Sequence, residues 1–208
     1  VGRITVDDVM DEVREQAERD YQLASGLSQD VETDDNVFRQ TTARLPWLLI
    51  GMLGGIGNSM ILGNFDTTFA AHPEMALYIP LIGGTGGNVG TQSSALVVQG
   101  LANSSLSAEN TFKQVLKESV VALINATIIS MLVYIYNFIR FGASATVSYS
   151  VSISLFAVVM FASIFGTLVP MTLEKLKVDP AIATGPFISI TNDIIGMLMY
   201  MGITVLLA

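Results

Sequence analysis

Apolar and polar residues are unevenly distributed along the chain. Polar residues dominate up to about residue 38, and five long apolar segments follow. A membrane-crossing helix needs roughly 20 predominantly apolar residues to span a hydrocarbon core of about 30 Å. Each segment reaches that length, so the pattern predicts an all-α integral membrane protein with five transmembrane helices. The five segments cover residues 45–65, 75–101, 119–139, 147–173 and 182–208.

The fourth segment carries a second signal at its start. Ser148, Ser150, Ser152 and Ser154 alternate with apolar residues, and such alternation is also typical of a β-strand. Because the rest of the chain has the composition of a helical membrane protein, we interpret this segment as a helix with a polar first turn.

The polar N-terminal region predicts one amphipathic cytoplasmic helix over residues 4–25. Thr5 and Asp8 have the spacing of a capping box, and Gly26 is a suitable residue for the C-terminal cap. One face of this helix is apolar and the other is acidic. Two interpretations of the acidic face stay open: a solvated surface, or a surface that responds to cations.

A polar linker at residues 28–38 separates two parts of the chain. We expect residues 1–38 to be the end of a truncated regulatory region with its connecting helix, and residues 39–208 to be the transmembrane domain. Because the sequence begins at Val1 without a signal peptide before the first apolar segment, we expect it to be a piece of a longer protein.

Lysine and arginine predict the orientation in the membrane. The loop between the first two segments contains neither residue, and the loop between the third and fourth contains only Arg140. The positive-inside rule therefore predicts a cytoplasmic N-terminus and an external C-terminus, in the cell (inner) membrane. The positive residues on the predicted cytoplasmic side are Arg39, Arg44, Lys113, Lys117, Lys175 and Lys177.

The composition excludes several kinds of binding site and partner. Only 13% of the residues are charged, against about 25% in an ordinary soluble domain, and eleven of the eighteen acids precede residue 36. The chain has no cysteine and one histidine, His72, so disulfides and sites built from thiolates or several imidazoles are excluded. With no basic patch, nucleic acid is not expected as a partner.

Residues 80–92 are unusual for a membrane segment. This stretch contains Pro80 and five glycines together with Asn, Thr and Gln side chains. We expect the glycines and the proline to loosen the helix. Apolar segments interrupted in this way often form substrate sites in transporters, so this stretch is a candidate site.

Asp193 is the ionisable residue deepest within a predicted span. A carboxylate at that depth is costly unless it faces water, a cation or a partner, and no Lys, Arg or His lies in the middle of any segment. Ser189 and Gly196 lie one turn away on either side. A protonated, packed carboxyl group is the alternative, but a cation-facing carboxylate is favoured. Oxygen donors alone select Mg²⁺, Mn²⁺, Ca²⁺ or alkali ions.

The two motif regions resemble the MgtE family of magnesium channels and transporters. The resemblance rests on Pro80, the run 86–92, Asp179-Pro180-Ala181, Gly185-Pro186 and Thr191–Asp193. It implies a homodimer whose second and fifth transmembrane helices line a pathway, with Asp193 binding a largely hydrated Mg²⁺. The predicted pathway residues besides Asp193 are Ser189, Gly196, Gly87, Asn88, Thr91 and Gln92.

The resemblance also implies regulation by cytosolic Mg²⁺. In that family a cystathionine-synthase-type regulatory domain precedes the connecting helix, and this sequence lacks such a domain. The acids that match the regulatory ones are Asp7, Asp8, Asp11, Glu12 and Glu15.

The predicted function is therefore a Mg²⁺ channel or transporter in a lipid bilayer, with Mn²⁺, Co²⁺ or Ca²⁺ as other ions. A secondary transporter coupled to Na⁺ or H⁺ is the alternative, because both need helices lined with oxygen atoms. An intramembrane enzyme is not expected, since aspartyl proteolysis needs two carboxylates at depth and a serine–histidine pair needs a membrane histidine.

Overall fold

The computed structural model describes residues 4–28, 31–142 and 146–207, and all regular structure within these ranges is helical. Three 3-10 turns, at Pro73–Tyr78, Ala108–Asn110 and Pro180–Ala183, connect the α-helices. The helices in chain order are α1 (Val6–Ala24), α2 (Val37–Gly63), α3 (Asp66–Ala71), α4 (Ile79–Ala102), α5 (Thr111–Phe141), α6 (Thr146–Lys175) and α7 (Pro186–Leu207).

Helix α1 begins at the predicted capping box. The Thr5 hydroxyl accepts the Asp8 N–H at 3.2 Å, and the Asp8 carboxylate accepts the Thr5 N–H at 2.8 Å. The hydroxyl and N–H of Thr5 together hold the pKa of Asp8 below its usual range. The helix ends where Gly26 adopts φ +83°, a conformation suited to glycine.

Four of the described helices are long and apolar enough to cross a membrane: α2, α5, α6 and α7. Five were predicted. The missing one is α4, which has 24 residues but is made less apolar by its glycines and polar side chains. These helices make the chain a multi-pass, all-α membrane protein.

Helix α4 corrects the expectation of a loosened backbone at residues 80–92. The whole stretch is continuous α-helix, and Pro80 lies in the first turn, where a missing N–H costs no hydrogen bond. The irregular backbone lies instead before the helices, in the 3-10 turn 73–78 and at Gly185, which has φ +49°.

Predicted and observed boundaries differ at two other spans. Helix α2 begins at Val37, so it takes in the last residues of the predicted linker, and α5 begins at Thr111 instead of about residue 119. The additional turns are polar, which a search for apolar residues does not detect. The serine-rich fourth segment is helical, as predicted.

Helix α6 lies at the centre of the bundle. It contacts α4, α5 and α7, and α7 also contacts α4 and α2. Val151, Leu155, Val158 and Val159 of α6 are fully buried. This arrangement holds α4 and α7 against each other on a common support.

Small residues bring the backbones of this bundle close together. A Cβ placed on Gly166 of α6 would lie 2.3 Å from the carbonyl oxygen of Gly90 in α4. The turn before α4 is tied to α7 as well, because the Tyr200 hydroxyl donates to the Met75 carbonyl oxygen at 2.8 Å. Helix α4 is therefore held against α6 at Gly166, and the turn before it is held against α7 at Tyr200.

Candidate ion site between α4 and α7

The carboxylate of Asp193 lies against the glycine-rich face of α4. A Cβ on Gly83 would lie 3.5 Å from Asp193 Oδ1, and one on Gly87 would lie 3.3 Å from the same atom. A methyl group on Gly83 would just touch the carboxylate, whereas one on Gly87 would be tight against it, so the absence of a side chain at Gly87 leaves room for the carboxylate. Asp193 is half-buried and makes no hydrogen bond or ion pair within the described part of the chain.

Ser189 adds a second oxygen to this site. A Cβ on Gly87 would lie 2.8 Å from Ser189 Oγ, so the hydroxyl and the carboxylate share one glycine as neighbour. The structure therefore brings together three of the predicted pathway residues: Gly87, Ser189 and Asp193.

Gly196 is placed differently. It is buried, and its nearest neighbour is Val158 of α6, 3.3 Å from a Cβ built on the glycine. Its small size lets α7 approach α6, and it does not share the surroundings of the Asp193 carboxylate.

The remaining predicted residues are placed differently on α4. Thr91 lies one turn beyond Gly87 on the same face and is half-buried, whereas Asn88 and Gln92 lie on an exposed face. Gln92 lines a cavity on the α5 side of α4. No hydrogen bond joins any of the three to Asp193 in the described structure.

Asn192 has a more constrained position than its sequence context indicated. Its side chain is 1% exposed, and neither its oxygen nor its nitrogen has a hydrogen-bond partner among the described residues. Its Nδ2 would lie 1.8 Å from a Cβ on Gly90. A buried amide without partners is costly, and this one is packed against Gly90 while the Asp193 carboxylate lies at Gly83 and Gly87.

Glu118 is a buried carboxylate that the sequence placed only at the edge of a span. Its Oε1 accepts the hydroxyl of Ser93 from α4 at 2.6 Å and that of Ser163 from α6 at 2.5 Å. It borders a cavity of about 550 Å³ that Gln92 and Asn125 also line. The distance in sequence to both serines explains why no local pattern revealed this cluster.

The predicted regulatory acids of α1 are not gathered into a metal site. All five are exposed, Asp8 caps the helix and Glu15 pairs with Arg19. Within the described residues no three His, Cys, Asp or Glu side chains are placed to hold a metal ion. The five acids are Asp7, Asp8, Asp11, Glu12 and Glu15.

The oxygens at Asp193 can hold a hydrated cation. One carboxylate and one hydroxyl are too few to replace the shell of Mg²⁺, which keeps its water tightly. They can accept hydrogen bonds from, or donate them to, the water molecules around such an ion. The site therefore has the chemistry of outer-shell binding.

Long apolar helices surround a half-buried carboxylate that has no protein partner among the described residues, which places the chain among helical membrane proteins with an ionisable group at depth. The chain belongs to the MgtE family, described as divalent cation transporters, whose sequence model matches residues 79–203. The predicted family is thus confirmed, and membership places the chain among transporters, not enzymes.

Three curated relatives align with nearly the whole chain. The magnesium transporter MgtE of Bacillus subtilis is 34% identical over 203 residues, which cover 98% of this chain and 45% of the relative. The protein of the same name from Thermus thermophilus is 32% identical over 213 residues, covering 100% and 46%. That from Enterococcus faecalis is 29% identical over 203 residues, covering 98% and 44%. The chain spans about half the length of these relatives.

Proposed function

We propose that this chain forms the ion-conducting part of a magnesium channel, with Asp193 as the residue that binds the ion. The observation that carries this proposal is the position of the Asp193 carboxylate, which faces Gly83 and Gly87 of α4 and has no protein partner among the described residues. The names of the curated relatives support Mg²⁺ as the transported ion.

Helix α4 is proposed as the fifth transmembrane span, with its exposed polar strip covered by a second copy of the chain. The strip consists of Gly84, Asn88, Gln92 and Gln99, all exposed in the single chain. Amide side chains facing lipid would be costly, so a homodimer in which α4 and α7 line the pathway removes that cost. Two Asp193 carboxylates near one axis would give a charge near −2, which matches one divalent ion.

This arrangement favours Mg²⁺ with most of its water retained. Carboxylate and hydroxyl groups that contact the ion through its bound water molecules select an ion by the size and charge of its hydrated form. The membrane potential adds about 2.3 kcal/mol per charge per 100 mV to inward movement. The predicted cytoplasmic N-terminus and location in the cell (inner) membrane are part of the same proposal.

Replacement of Asp193 tests the proposal. In proteoliposomes, Asp193→Asn and Asp193→Ala are expected to reduce Mg²⁺ uptake at least about tenfold, because each removes the negative charge that attracts the hydrated cation into the apolar bundle. Uptake is measured with a fluorescent Mg²⁺ indicator, and folding is checked by size-exclusion chromatography.

The matched control is Asp66→Asn, which removes a carboxylate that lies exposed at the start of α3. It is expected to leave uptake close to that of the unchanged chain. Normal uptake by a well-folded Asp193→Ala protein would exclude Asp193 as the binding residue.

A second candidate function is secondary transport of Mg²⁺ coupled to Na⁺ or H⁺. One observation favours it: Glu118, a buried carboxylate, contacts α4 through Ser93 on a face away from Asp193. The same uptake assay distinguishes the two. Uptake that requires a Na⁺ or pH gradient and disappears in Glu118→Gln would support coupling, and uptake driven by Mg²⁺ alone would support the channel.

A further inference from the structure

A groove between the α4–α5 connection and the first turns of α5 combines two lysines with an apolar surface. It has a volume of about 470 Å³. Leu106 forms one wall, because its N–H donates to the Gly100 carbonyl oxygen at 2.9 Å and folds the connection back over the end of α4. The residues that line it are Ser105, Leu106, Asn110, Lys113, Gln114, Leu116, Lys117 and Val120.

The lysines lie at the depth of lipid headgroups. The uncharged part of α5, residues 119–139, rises about 31 Å at 1.5 Å per residue, which matches the hydrocarbon thickness. Lys117 is therefore at the boundary of the hydrocarbon, and Lys113 is about 6 Å further out. Two residues four apart on a helix face the same side, so one phosphate group can contact both ammonium groups.

Neither lysine is neutralised by the protein. Both are exposed, and neither forms an ion pair in the part of the chain that the structure describes. Glu118, next to Lys117, directs Oε1 towards Ser93 and Ser163. Glu109, four residues before Lys113, forms no ion pair with it in the described structure. In a chain with a net charge of −8, this groove is a local positive site.

The apolar part of the groove faces the lipid. Leu116 is 57% exposed and lies between the two lysines, and Val120 is 54% exposed and lies just beyond Lys117 towards the membrane. A ligand that matches this surface has an anionic head and an apolar tail.

We propose that this groove binds an anionic phospholipid, with its phosphate between Lys113 and Lys117 and an acyl chain along Leu116 and Val120. Clusters of basic residues next to a span attract anionic lipids, and here the walls from Ser105, Asn110 and Gln114 add hydrogen-bond donors for phosphate oxygens. The proposal does not depend on the ion that the protein transports.

Native mass spectrometry of the purified chain tests this proposal. The detergent is doped with phosphatidylglycerol or phosphatidylcholine, and the retained lipids are counted. Phosphatidylglycerol is expected to be retained preferentially, and the double variant Lys113→Gln/Lys117→Gln is expected to weaken its retention roughly tenfold or more. The control Lys175→Gln/Lys177→Gln removes two lysines at the end of α6 and is expected to change little.

Two further measurements distinguish a phospholipid from a free phosphate ester as the ligand. Glycerol phosphate without acyl chains is expected to compete weakly, and Leu116→Gln/Val120→Gln is expected to reduce phosphatidylglycerol retention while circular dichroism shows an unchanged helix content. Equal retention of both lipids, equal loss in the control pair, or full competition by glycerol phosphate would overturn the proposal.

Discussion

At the scale of single residues, Glu118 is a buried acidic side chain that is held by only a few hydrogen bonds. Its hydrogen bonds to Ser93 and Ser163 join three helices, α4, α5 and α6. A buried carboxylate with only partial compensation does not itself add stability. The two hydroxyl groups lie 3.0 Å apart and can bond to each other, so removing the carboxylate leaves one of them without an acceptor.

Glu118→Ala is expected to destabilise the chain by about 1–3 kcal/mol, because the buried hydroxyl group left without an acceptor bears a desolvation cost. Glu118→Gln keeps an acceptor oxygen and is expected to lie between the alanine variant and the unchanged chain. Thermal unfolding in detergent measures the order of stability of the two variants and the unchanged chain. The control Glu109→Ala changes an exposed acid of the α4–α5 connection, and a loss of stability as large as that of Glu118→Ala would contradict this explanation.

Gly90 has a packing role that can be tested in the same way. A Cβ at this position would lie 1.8 Å from Asn192 Nδ2 and 2.8 Å from Ile188 Cγ2. Gly90→Ala is expected to cost about 1–3 kcal/mol by overpacking and to move α7 relative to α4, which lowers ion uptake. Unfolding and uptake are both measured.

Gly57→Ala is the matched control for Gly90→Ala, because a Cβ on Gly57 meets nothing within 4 Å. The alanine has a higher helix propensity, so this variant is expected to be as stable as the unchanged chain or slightly more stable. Equal behaviour of the two variants would mean that the α4–α7 contact is more open than the structure indicates.

At the scale of elements, the end of α1 and the start of α7 are fitted together. A Cβ on Gly185 would lie 2.1 Å from the Ala24 carbonyl oxygen, and one on Gly26 would lie 2.6 Å from Pro186 Cγ. The last turn of α1 is thus in contact with the residues that begin the helix of Asp193. Two glycines with positive φ make this junction possible.

Gly185→Ala is expected to separate α1 from α7 for two reasons. The new methyl group would collide with the Ala24 carbonyl oxygen, and an alanine is strained at the φ of +49° that this position requires. Hydrogen exchange of the α1 amides should become faster. Gly142→Ala is the control, since it shares a positive φ, +91°, but meets nothing within 4 Å. Unchanged exchange in Gly185→Ala would show that α1 does not depend on this contact.

At the scale of the whole molecule, the proposed dimer explains the polar strip on α4. The sequence contains no cysteine, so a single introduced cysteine can report on proximity between copies. Asn88→Cys is expected to form cross-linked dimers in membranes with a short thiol-reactive linker. Gel electrophoresis under non-reducing conditions gives the measurement.

Leu123→Cys provides the comparison, because Leu123 is 50% exposed on α5 and does not line the cavity that Gln92 shares with α5. It is expected to remain monomeric under the same treatment. Efficient cross-linking of Leu123→Cys with none of Asn88→Cys would place the interface on α5 instead.

Local patterns predicted much of this protein because their causes are local. Segment length and apolarity depend only on neighbouring residues, so the helical membrane class and four of the five predicted spans followed from the sequence. The capping box at Thr5 is equally local. The motifs around Pro80 and Asp193 identified the family and drew attention to Asp193 before any contact was known.

Contacts between helices required the tertiary structure. Helix rotation decides that Gly87 and Ser189 face Asp193, whereas Gly196 faces Val158 and Gln92 lines a different cavity. Packing against α6 and α7 also keeps α4 continuous, although its glycines favour a looser backbone. The sequence by itself determined which residues lie in apolar helices and that a carboxylate lies among them. Only the fold decided that this carboxylate faces Gly83 and Gly87, because both glycines belong to a helix distant along the chain.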